Sequence, residues 1–352
     1  MRSIHDRKPN MALLEIQDLK THFHTDEGTI RAVDGVSFTA DRGETVCLVG
    51  ESGSGKTVTV ESICRLFQSP PGEIVDGSVT FEGQELTTLP TRELREIRGG
   101  RIGYVFQNPQ GALNPVYTVG QQIVESIRLH ENISRKDARN RAIQLLDRVG
   151  IPEATTRIDD YPHEFSGGMK QRVVIAMALA PQPDLLIADE PTTALDVTIQ
   201  AQILDLLDDL QEEFGMTVVF VTHDLGVVAE IANRVVVMYA GKVMETGDVF
   251  EIFENPAHPY TRALLKCMPG RGKRMEAIGG QIPDPMNIPS GCRFHPRCPY
   301  AIEDCTVGDQ PAFESAESPD HQVSCVYYQP GRDETVLEEG RIGEMVNEGI
   351  TR

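Results

Sequence analysis

The chain has 352 residues, about twice the length of a common single domain, so we expect one large domain or two unequal ones. Lys and Arg total 33 and Asp and Glu total 53. The resulting net charge of −20 argues against a protein that coats nucleic acid, because phosphate neutralisation requires a basic surface. Hydrophobic residues make up 40% of the chain, but no apolar run approaches the roughly 18 to 20 residues needed to cross a bilayer. We therefore expect a globular protein that is soluble or peripheral, and intracellular.

The apolar pattern divides the chain into three zones, followed by an end that is rich in Pro and Cys. Short β-like runs fill residues 13–83, helix-forming charged sequence fills residues 86–165, and helices alternate with buried strands over residues 168–244. Continuous apolar runs such as Leu185 to Ala188 and Val218 to Val221 are typical of parallel strands covered on both faces. The pattern predicts an α/β core.

A phosphate-binding motif, G-x-x-x-x-G-K-[ST], is matched at residues 50–57, between an apolar strand and a predicted helix at residues 58–66. Its glycines let backbone N–H groups curl around a phosphate, and the helix N-terminus adds partial positive charge. We expect Lys56 to neutralise the β- and γ-phosphates and the Thr57 hydroxyl to bind Mg²⁺. The predicted ATP-binding residues are Gly50, Glu51, Ser52, Gly53, Ser54, Gly55, Lys56, Thr57 and Val58.

Two carboxylates, Asp189 and Glu190, end the buried strand that begins near Asp184. Adjacent residues of a strand point in different directions, so one carboxylate can serve a metal while the other faces water. We expect Asp189 to bind Mg²⁺ directly or through water, and Glu190 to be the base that polarises the attacking water.

A second anion site is predicted where Ser166, Gly167 and Gly168 begin another helix, because these residues leave backbone N–H groups exposed. Two anion sites and a single complete phosphate loop favour a head-to-tail dimer. In it, the helix start at Ser166, Gly167 and Gly168 (the signature) of each subunit closes the nucleotide site of its partner. With its motifs in this order, the chain resembles the ATPase subunits of ABC transporters over about residues 13–328. The resemblance implies a P-loop NTPase (RecA-like) cassette with an N-terminal antiparallel β subdomain and a helical subdomain at about residues 86–165.

The same resemblance assigns roles to single residues. Gln107 stands where the family has a glutamine that reaches Mg²⁺ and the attacking water, and His223 where it has a histidine that contacts the γ-phosphate. Phe23 is expected to stack on adenine; His24 is the alternative, because the sequence that follows blurs the register. The residues expected to face the partner subunit or its nucleotide are Ser166, Gly167, Gly168, Gln171 and Asp196.

Two stretches resemble the di- and oligopeptide permease branch. Residues 106–115 are similar to the pattern F-Q-x-P-x-x-S-L-N-P, with Ala112 in place of the usual Ser, and in the family this segment meets the membrane subunit. Residues 255–265 match the segment that opens the C-terminal extension of that branch. The expected division is a nucleotide-binding domain at 12–254, a C-terminal extension at 255–330 and an acidic, weakly ordered tail at 331–352.

Four late cysteines, Cys292, Cys298, Cys305 and Cys325, have the spacing C-x5-C-x6-C-x19-C. In an intracellular protein such a cluster binds metal more often than it forms disulfides. Structural zinc usually has C-x2-4-C pairs, whereas an iron–sulfur cluster tolerates wider loops. Residues 291–299 resemble the G-C-x-F-x-P-R-C-P pattern of dipeptide-permease ATPases that carry a [4Fe-4S] cluster. Zinc and unligated thiols are the alternatives.

The resemblance implies a peripheral ATPase at the cytoplasmic face of the membrane that powers uptake of di- and oligopeptides, with ATP, Mg²⁺ and a [4Fe-4S] cluster as cofactors. The expected partners are a second ABC ATPase, which we expect to be a paralogue, two membrane permease subunits and an extracytoplasmic solute-binding protein, with no nucleic acid. Import of nickel or another small solute is the alternative cargo. A non-transport ABC ATPase and a regulatory subunit with a degenerate site are further alternatives. The single cassette opposes the former, and the intact Lys56, Asp189, Glu190 and His223 oppose the latter.

Overall fold

The computed structural model describes residues 12–193, 195–268, 278–316 and 318–337. The chain folds into two compact units. Of the described residues, the first unit contains 12–15, 39–45 and those within 79–221, and the second contains 16–38, 46–78 and those within 222–337. No described helix combines the length and the apolar character that crossing a membrane requires.

Helices and strands alternate one by one from Gly167 to Tyr239. The strands are β1 (Leu14–Thr25), β2 (Gly28–Ala40), β3 (Thr45–Val49), β4 (Gly72–Phe81), β5 (Gln84–Glu85), β6 (Ile102–Val105), β7 (Leu185–Asp189), β8 (Thr217–Thr222), β9 (Arg234–Tyr239), β10 (Lys242–Asp248), β11 (Glu314–Ser315) and β12 (Gln322–Val323). The α-helices are α1 (Lys56–Ile63), α2 (Thr91–Ile97), α3 (Pro109–Ala112), α4 (Val119–His130), α5 (Arg135–Arg148), α6 (Ala154–Arg157), α7 (Gly167–Leu179), α8 (Val197–Phe214), α9 (Leu225–Ile231), α10 (Val249–Glu254) and α11 (Pro259–Lys266).

In the first unit, β6, β7 and β8 form parallel pairs, with Leu185 opposite both Ile102 and Thr217. All residues of β7 and β8 are buried, as the continuous apolar runs predicted. Helices α2 to α6 lie within the stretch predicted to be helical, which also contains the short strand β6. Helices α4, α5 and α7 pack against one another, and Ser134 caps α5 by accepting a hydrogen bond from the Asp137 N–H.

The second unit contains the strand order β11-β12-β10-β9-β3, in which only the β3–β9 pair is parallel. β9 and β10 are joined by a tight turn at Ala240 and Gly241, both with positive φ. β1 and β2 are joined by only two residues, so they form a hairpin, and β1 lies between β2 and β4. This hairpin agrees with the predicted antiparallel subdomain.

The C-terminal extension is anchored in the second unit by β10 and by a buried contact between a glutamate and a histidine. Glu245 of β10 lies opposite Val323 of β12, and its carboxylate lies 2.7 Å from His321 Nε2, with both side chains fully buried. The same carboxylate accepts hydrogen bonds from the N–H groups of Ala257 (2.7 Å) and His258 (2.8 Å). A buried carboxylate needs such partners, because an unpaired one is costly.

The packed part of the extension continues to Leu337, seven residues beyond the expected boundary at residue 330. Residues Glu334–Leu337 form a short 3-10 helix, and Leu337 is 2% exposed in a cluster with Ala257, Val323 and Tyr327. The acidic composition of the tail did not indicate this packing, because it depends on one apolar residue, Leu337. Residues 338–352, the rest of the tail expected to be weakly ordered, lie outside the described residues.

Replacing Leu337 with Ala is expected to lower the free energy of unfolding by about 2 kcal/mol, because it removes buried methyl groups from a packed cluster. The neighbouring Val336 is 36% exposed, and Val336→Ala should change stability by less than about 0.5 kcal/mol. Chemical denaturation monitored by circular dichroism measures both values. Equal, negligible effects would show that Leu337 does not pack in solution.

Candidate functional site

The phosphate loop is shaped by glycines that press against neighbouring backbone. A Cβ at Gly50 would lie 2.1 Å from the Met238 carbonyl oxygen, and one at Gly55 would lie 2.4 Å from the Ala32 carbonyl oxygen. Gly55 has φ +97° and directly precedes α1, whose first residue is Lys56. The loop is also held from the β9–β10 turn, since the Gly241 N–H donates to the Ser54 carbonyl at 2.8 Å. Only glycine can occupy such contacts.

Lys56 lies inside this loop with 5% of its surface exposed. Its Nζ donates to the carbonyl oxygens of Gly50 (2.8 Å) and Glu51 (3.0 Å) and lies 3.5 Å from Ser54 Oγ. Hydrogen bonds of this kind are required when an ammonium group is buried. They hold the positive charge at the centre of the loop, where it can attract a phosphate bound to the loop.

Two residues of the C-terminal extension also reach the loop. The Glu51 N–H donates to Tyr260 Oη at 2.9 Å. The Arg297 guanidinium donates to both carboxylate oxygens of Glu51, at 2.9 Å through Nη1 and at 3.2 Å through Nη2. Glu51 itself was predicted, as part of the phosphate loop, but its two partners were not.

The predicted adenine platform, Phe23, lies in β1, and its half-buried ring contacts the ring of Phe67 edge-on at 5.9 Å. The alternative, His24, is exposed and lies 3.2 Å from Thr29 Oγ1 and 3.7 Å from a Glu73 carboxylate oxygen. Phe23 therefore has a fixed ring, whereas His24 is engaged by surface polar groups. The assignment of Phe23 to adenine stays a prediction.

The carboxylates at the end of β7 have the expected difference in environment. Asp189 is 3% exposed, with Tyr104 Oη 3.4 Å from its Oδ2. Glu190 follows with φ +45°, a conformation that costs a non-glycine residue about 1 kcal/mol and that turns the chain out of the strand. Its carboxylate accepts hydrogen bonds from Gln107 Nε2 and Thr193 Oγ1, each at 2.9 Å. The structure thus brings Gln107 and Glu190 together, while their roles toward Mg²⁺ and water stay predictions.

The signature serine and glycines lie at the start of α7. Ser166 caps the helix by accepting a hydrogen bond from the Met169 N–H at 3.4 Å, and both Ser166 and Gly167 are exposed. A Cβ at Gly167 would meet no atom within 4 Å, whereas one at Gly168 would lie 2.8 Å from Ile199 Cγ2. This end of the helix is therefore open to a ligand or a second subunit.

Gln171 differs from the expectation that it faces a partner subunit. It is 1% exposed, because one turn into α7 it falls on the same inward face as Ile175. Asp196 and His223, by contrast, are exposed. Asp196 caps α8 by accepting a hydrogen bond from the Ile199 N–H at 3.0 Å, and His223 directly follows β8.

The segment predicted to meet a membrane subunit, residues 106–115, is followed by an exposed apolar turn. Gln122 of α4 holds this turn with three hydrogen bonds, one from the Asn114 N–H and two to the carbonyl oxygens of Asn114 and Tyr117, at 2.8 to 3.1 Å. Val116 is 70% exposed and Tyr117 is 50% exposed. A rigid turn that presents two apolar side chains suits contact with another protein.

The four late cysteines converge on one small cavity of about 10 Å³ in the extension. Its lining also includes His258, His295 and Tyr327. Burial raises the pKa of Cys292 to about 11 and the pKa values of Cys298 and Cys325 to about 12, so these thiols are neutral at pH 7 without a ligand. As the side chains stand, no group of three or more His, Cys, Asp or Glu in the described residues is arranged to hold a metal ion.

Four contacts of the site were not predicted. Thr193 contacts Glu190 and Tyr104 contacts Asp189. The sequence placed Thr193 in the loop with Asp196 that is expected to face the partner subunit, and it assigned no role to Tyr104. Tyr260 entered only as part of the segment 255–265, and Arg297 only as part of the cysteine pattern at residues 291–299. Their contacts with Glu51 join residues more than 200 positions apart, which no local pattern reveals.

Comparisons with known proteins agree with this geometry. Residues 33–193 match the ABC transporter family, and residues 244–305 match the C-terminal region of oligopeptide/dipeptide transporters. A putative peptide import ATP-binding protein of Brucella melitensis is 51% identical over 331 residues, covering 90% of this chain and 97% of the relative. The oligopeptide transport ATP-binding protein AppD of Bacillus subtilis is 49% identical over 320 residues, with the same coverage.

A solved structure with a similar fold is a dimeric ATP-binding cassette in a post-hydrolysis state, bound to ADP and phosphate. It is 31% identical to this chain with a TM-score of 0.61, and the match covers 67% of this chain and 98% of the solved one. The likeness confirms the predicted P-loop NTPase cassette with its mixed α/β architecture.

The close approach at Gly55 predicts a large difference between two loop glycines that both have positive φ. Gly53→Ala should cost about 1 kcal/mol of folding stability, because its Cβ meets no atom within 4 Å and only the conformation is unfavourable. Gly55→Ala should cost about 3 kcal/mol, since its methyl group also overlaps the Ala32 carbonyl. Urea unfolding of the two variants tests this, and equal losses would contradict the close contact.

Proposed function

The chain belongs to the ABC transporter family of ATP-binding proteins, and we propose that it is the ATP-hydrolysing subunit of an importer for di- and oligopeptides. The observation that carries the peptide assignment is the match of residues 244–305 to the C-terminal region of oligopeptide/dipeptide transporters. Relatives named for peptide import that are about half identical over nearly their whole length support it. Nickel or another small solute is the alternative cargo.

In the proposed reaction, the phosphate loop binds ATP through its backbone N–H groups and Lys56, while Thr57 and Asp189 serve Mg²⁺. Glu190 takes a proton from the attacking water, and Gln107 orients that water. The hydrogen bonds from Gln107 and Thr193 support this role, because they hold the Glu190 carboxylate in one orientation. His223 is proposed to contact the γ-phosphate, and Phe23 to stack on adenine.

We propose that the working unit contains two such ATPases, with Ser166 and the exposed Gly167 of one subunit closing the nucleotide site of the other. The open N-terminal end of α7 supports this, as does the dimeric state of the similar solved cassette. ATP favours the closed pair because it binds that state more tightly, and hydrolysis removes the difference in affinity. The partner ATPase is proposed to be a paralogue, with Asp196 at the contact.

The remaining partners follow from the importer role: two membrane permease subunits and an extracytoplasmic solute-binding protein. The exposed turn at Val116 and Tyr117 is the proposed contact with a permease subunit, because it presents rigid apolar surface next to the predicted segment. The chain would then act as a peripheral protein at the cytoplasmic face of the membrane.

Glu190→Gln is expected to retain ATP binding but to slow hydrolysis by about 100-fold or more, since an amide cannot accept the proton. Glu213→Gln, which alters a surface pair with Arg148, is the control. Both variants are introduced into cells that lack the native chain, and uptake of a radiolabelled dipeptide and of labelled nickel is measured beside the ATPase rate of the purified protein. Undiminished hydrolysis by Glu190→Gln would remove the proposed base, and uptake of nickel alone would identify the other cargo.

We propose further that Cys292, Cys298, Cys305 and Cys325 hold a [4Fe-4S] cluster, with zinc as the alternative. Four thiols from distant positions lining one enclosed cavity are a suitable donor set for either group. The present volume of about 10 Å³ means that the side chains must move apart when the group binds. When bound, the cluster would cross-link four parts of an extension that has a small core of its own.

Cys298→Ser is expected to abolish the visible iron–sulfur absorption of an anaerobic preparation and most of its iron and acid-labile sulfide. Cys267→Ser is the matched control, because Cys267 is half-buried and does not line the cavity. Metal analysis of the unaltered chain distinguishes the alternatives. Stoichiometric zinc without sulfide would replace the cluster by a zinc site, and neither metal would leave the cysteines as free thiols.

A further inference from the structure

The segment from Cys292 to Cys298 has two faces. Its terminal residues, Cys292 and Cys298, line the cavity that the four late cysteines share. The two arginines just inside them point elsewhere: Arg293 contacts the turn after β9, and Arg297 contacts the phosphate loop. Arg293, with its side chain 5% exposed, donates to the Ala240 carbonyl and to Asp34. The segment is therefore fixed on one side by buried charge.

Arg297 is the more constrained of the two, with 4% of its side chain exposed. Its five N–H groups have five acceptors: both carboxylate oxygens of Glu51, Tyr239 Oη (3.2 Å), and the carbonyl oxygens of Ile278 (3.2 Å) and Gly279 (2.8 Å). The guanidinium plane also lies over the Tyr239 ring, 5.6 Å from its centroid. Because every donor is used, the position of the guanidinium, and with it that of the Glu51 carboxylate, is fixed.

Glu51 is an unexpected residue in a loop that must attract phosphate. An unneutralised carboxylate here repels the anionic phosphates and competes with them for Lys56, whose Nζ already donates to the Glu51 carbonyl. In this structure both polar ends of Glu51 are engaged by the extension. The Arg297 guanidinium donates hydrogen bonds to the carboxylate, and Tyr260 Oη accepts one from the backbone N–H.

We propose that Arg297 is a positioning residue for ATP binding, which acts through Glu51 by neutralising its carboxylate and holding it away from the nucleotide phosphates. The C-terminal extension is thereby a functional part of the phosphate loop. A lysine cannot substitute fully, because a single ammonium cannot pair with both carboxylate oxygens and three further acceptors at once. The proposal requires nucleotide to bind at this loop, which the unaltered chain tests in the same experiment.

The experiment measures the affinity of the full-length chain for N-methylanthraniloyl-ATP with Mg²⁺ by fluorescence titration. The variants are Arg297→Ala, Arg297→Lys, Glu51→Gln and the double variant Glu51→Gln/Arg297→Ala. Arg262→Ala is the matched control, since Arg262 anchors the same extension through the carbonyl oxygens of Pro256 and Leu337 at 2.7 and 2.6 Å. Thermal unfolding by circular dichroism shows that each variant is folded.

Arg297→Ala is expected to weaken binding about tenfold, equivalent to about 1.4 kcal/mol, because it leaves the Glu51 carboxylate unpaired. Arg297→Lys should lie between it and the unaltered chain, and supplies the comparison should Arg297→Ala fail to fold. The double variant should recover to within about twofold of the unaltered chain, since the repelling charge is gone.

Three results would overturn the proposal. Unchanged affinity in Arg297→Ala would show that the pair does not affect the nucleotide. A double variant as weak as Arg297→Ala, or an equal loss in Arg262→Ala, would show that Arg297 acts only by holding the extension together. Absence of nucleotide binding by the unaltered, folded chain would instead refute the proposed function.

Discussion

The close approach of backbone to backbone around the phosphate loop is the constraint on which the rest of the structure depends. Gly50 and Gly55 leave no room for a Cβ against the carbonyl oxygens of Met238 and Ala32. The loop consequently lies in a fixed frame made by β2, β9 and the turn after β9. With Lys56 held inside by the loop carbonyls, the positive charge is already at the point where phosphate must arrive.

A second constraint acts on the carboxylate of Glu190, the proposed base. Glu190 leaves the strand in a left-handed conformation, and two hydrogen bonds fix its carboxylate. The unfavourable φ is maintained by its surroundings: the Glu190 N–H donates to the Val221 carbonyl, and the carboxylate is bound by Gln107 and Thr193. A local cost of about 1 kcal/mol is in keeping with a residue placed for chemistry rather than for stability.

The C-terminal extension connects to the cassette through buried polar groups as well as through ring contacts of Tyr260 and Phe294 with Tyr239. The fully buried pair of Glu245 and His321 joins β10 to the extension, and Arg297 joins the extension to the phosphate loop. Such contacts are specific in geometry, because an unsatisfied charge at either position would be costly. They explain how a segment with a small core can hold a defined position beside a nucleotide site.

Much of this protein is determined by the sequence alone. The glycine spacing at residues 50–57, the apolar strand ending in Asp189 and Glu190, and the helix start at Ser166 are local patterns, and local patterns predict local structure because backbone conformation and burial depend on near neighbours. The parallel strands and the helix starts followed from them, whereas the role expected of Gln107 came from the family resemblance.

Only the tertiary structure decided the rest. Gln171 faces the interior because of its position on the helix, and Leu337 packs part of an acidic tail against the extension. Four cysteines spread over 34 positions line one cavity. Tyr260 and Arg297 meet Glu51 across more than 200 residues of chain. Contacts of this kind depend on how distant segments pack in space, and a single sequence carries no periodicity that records them.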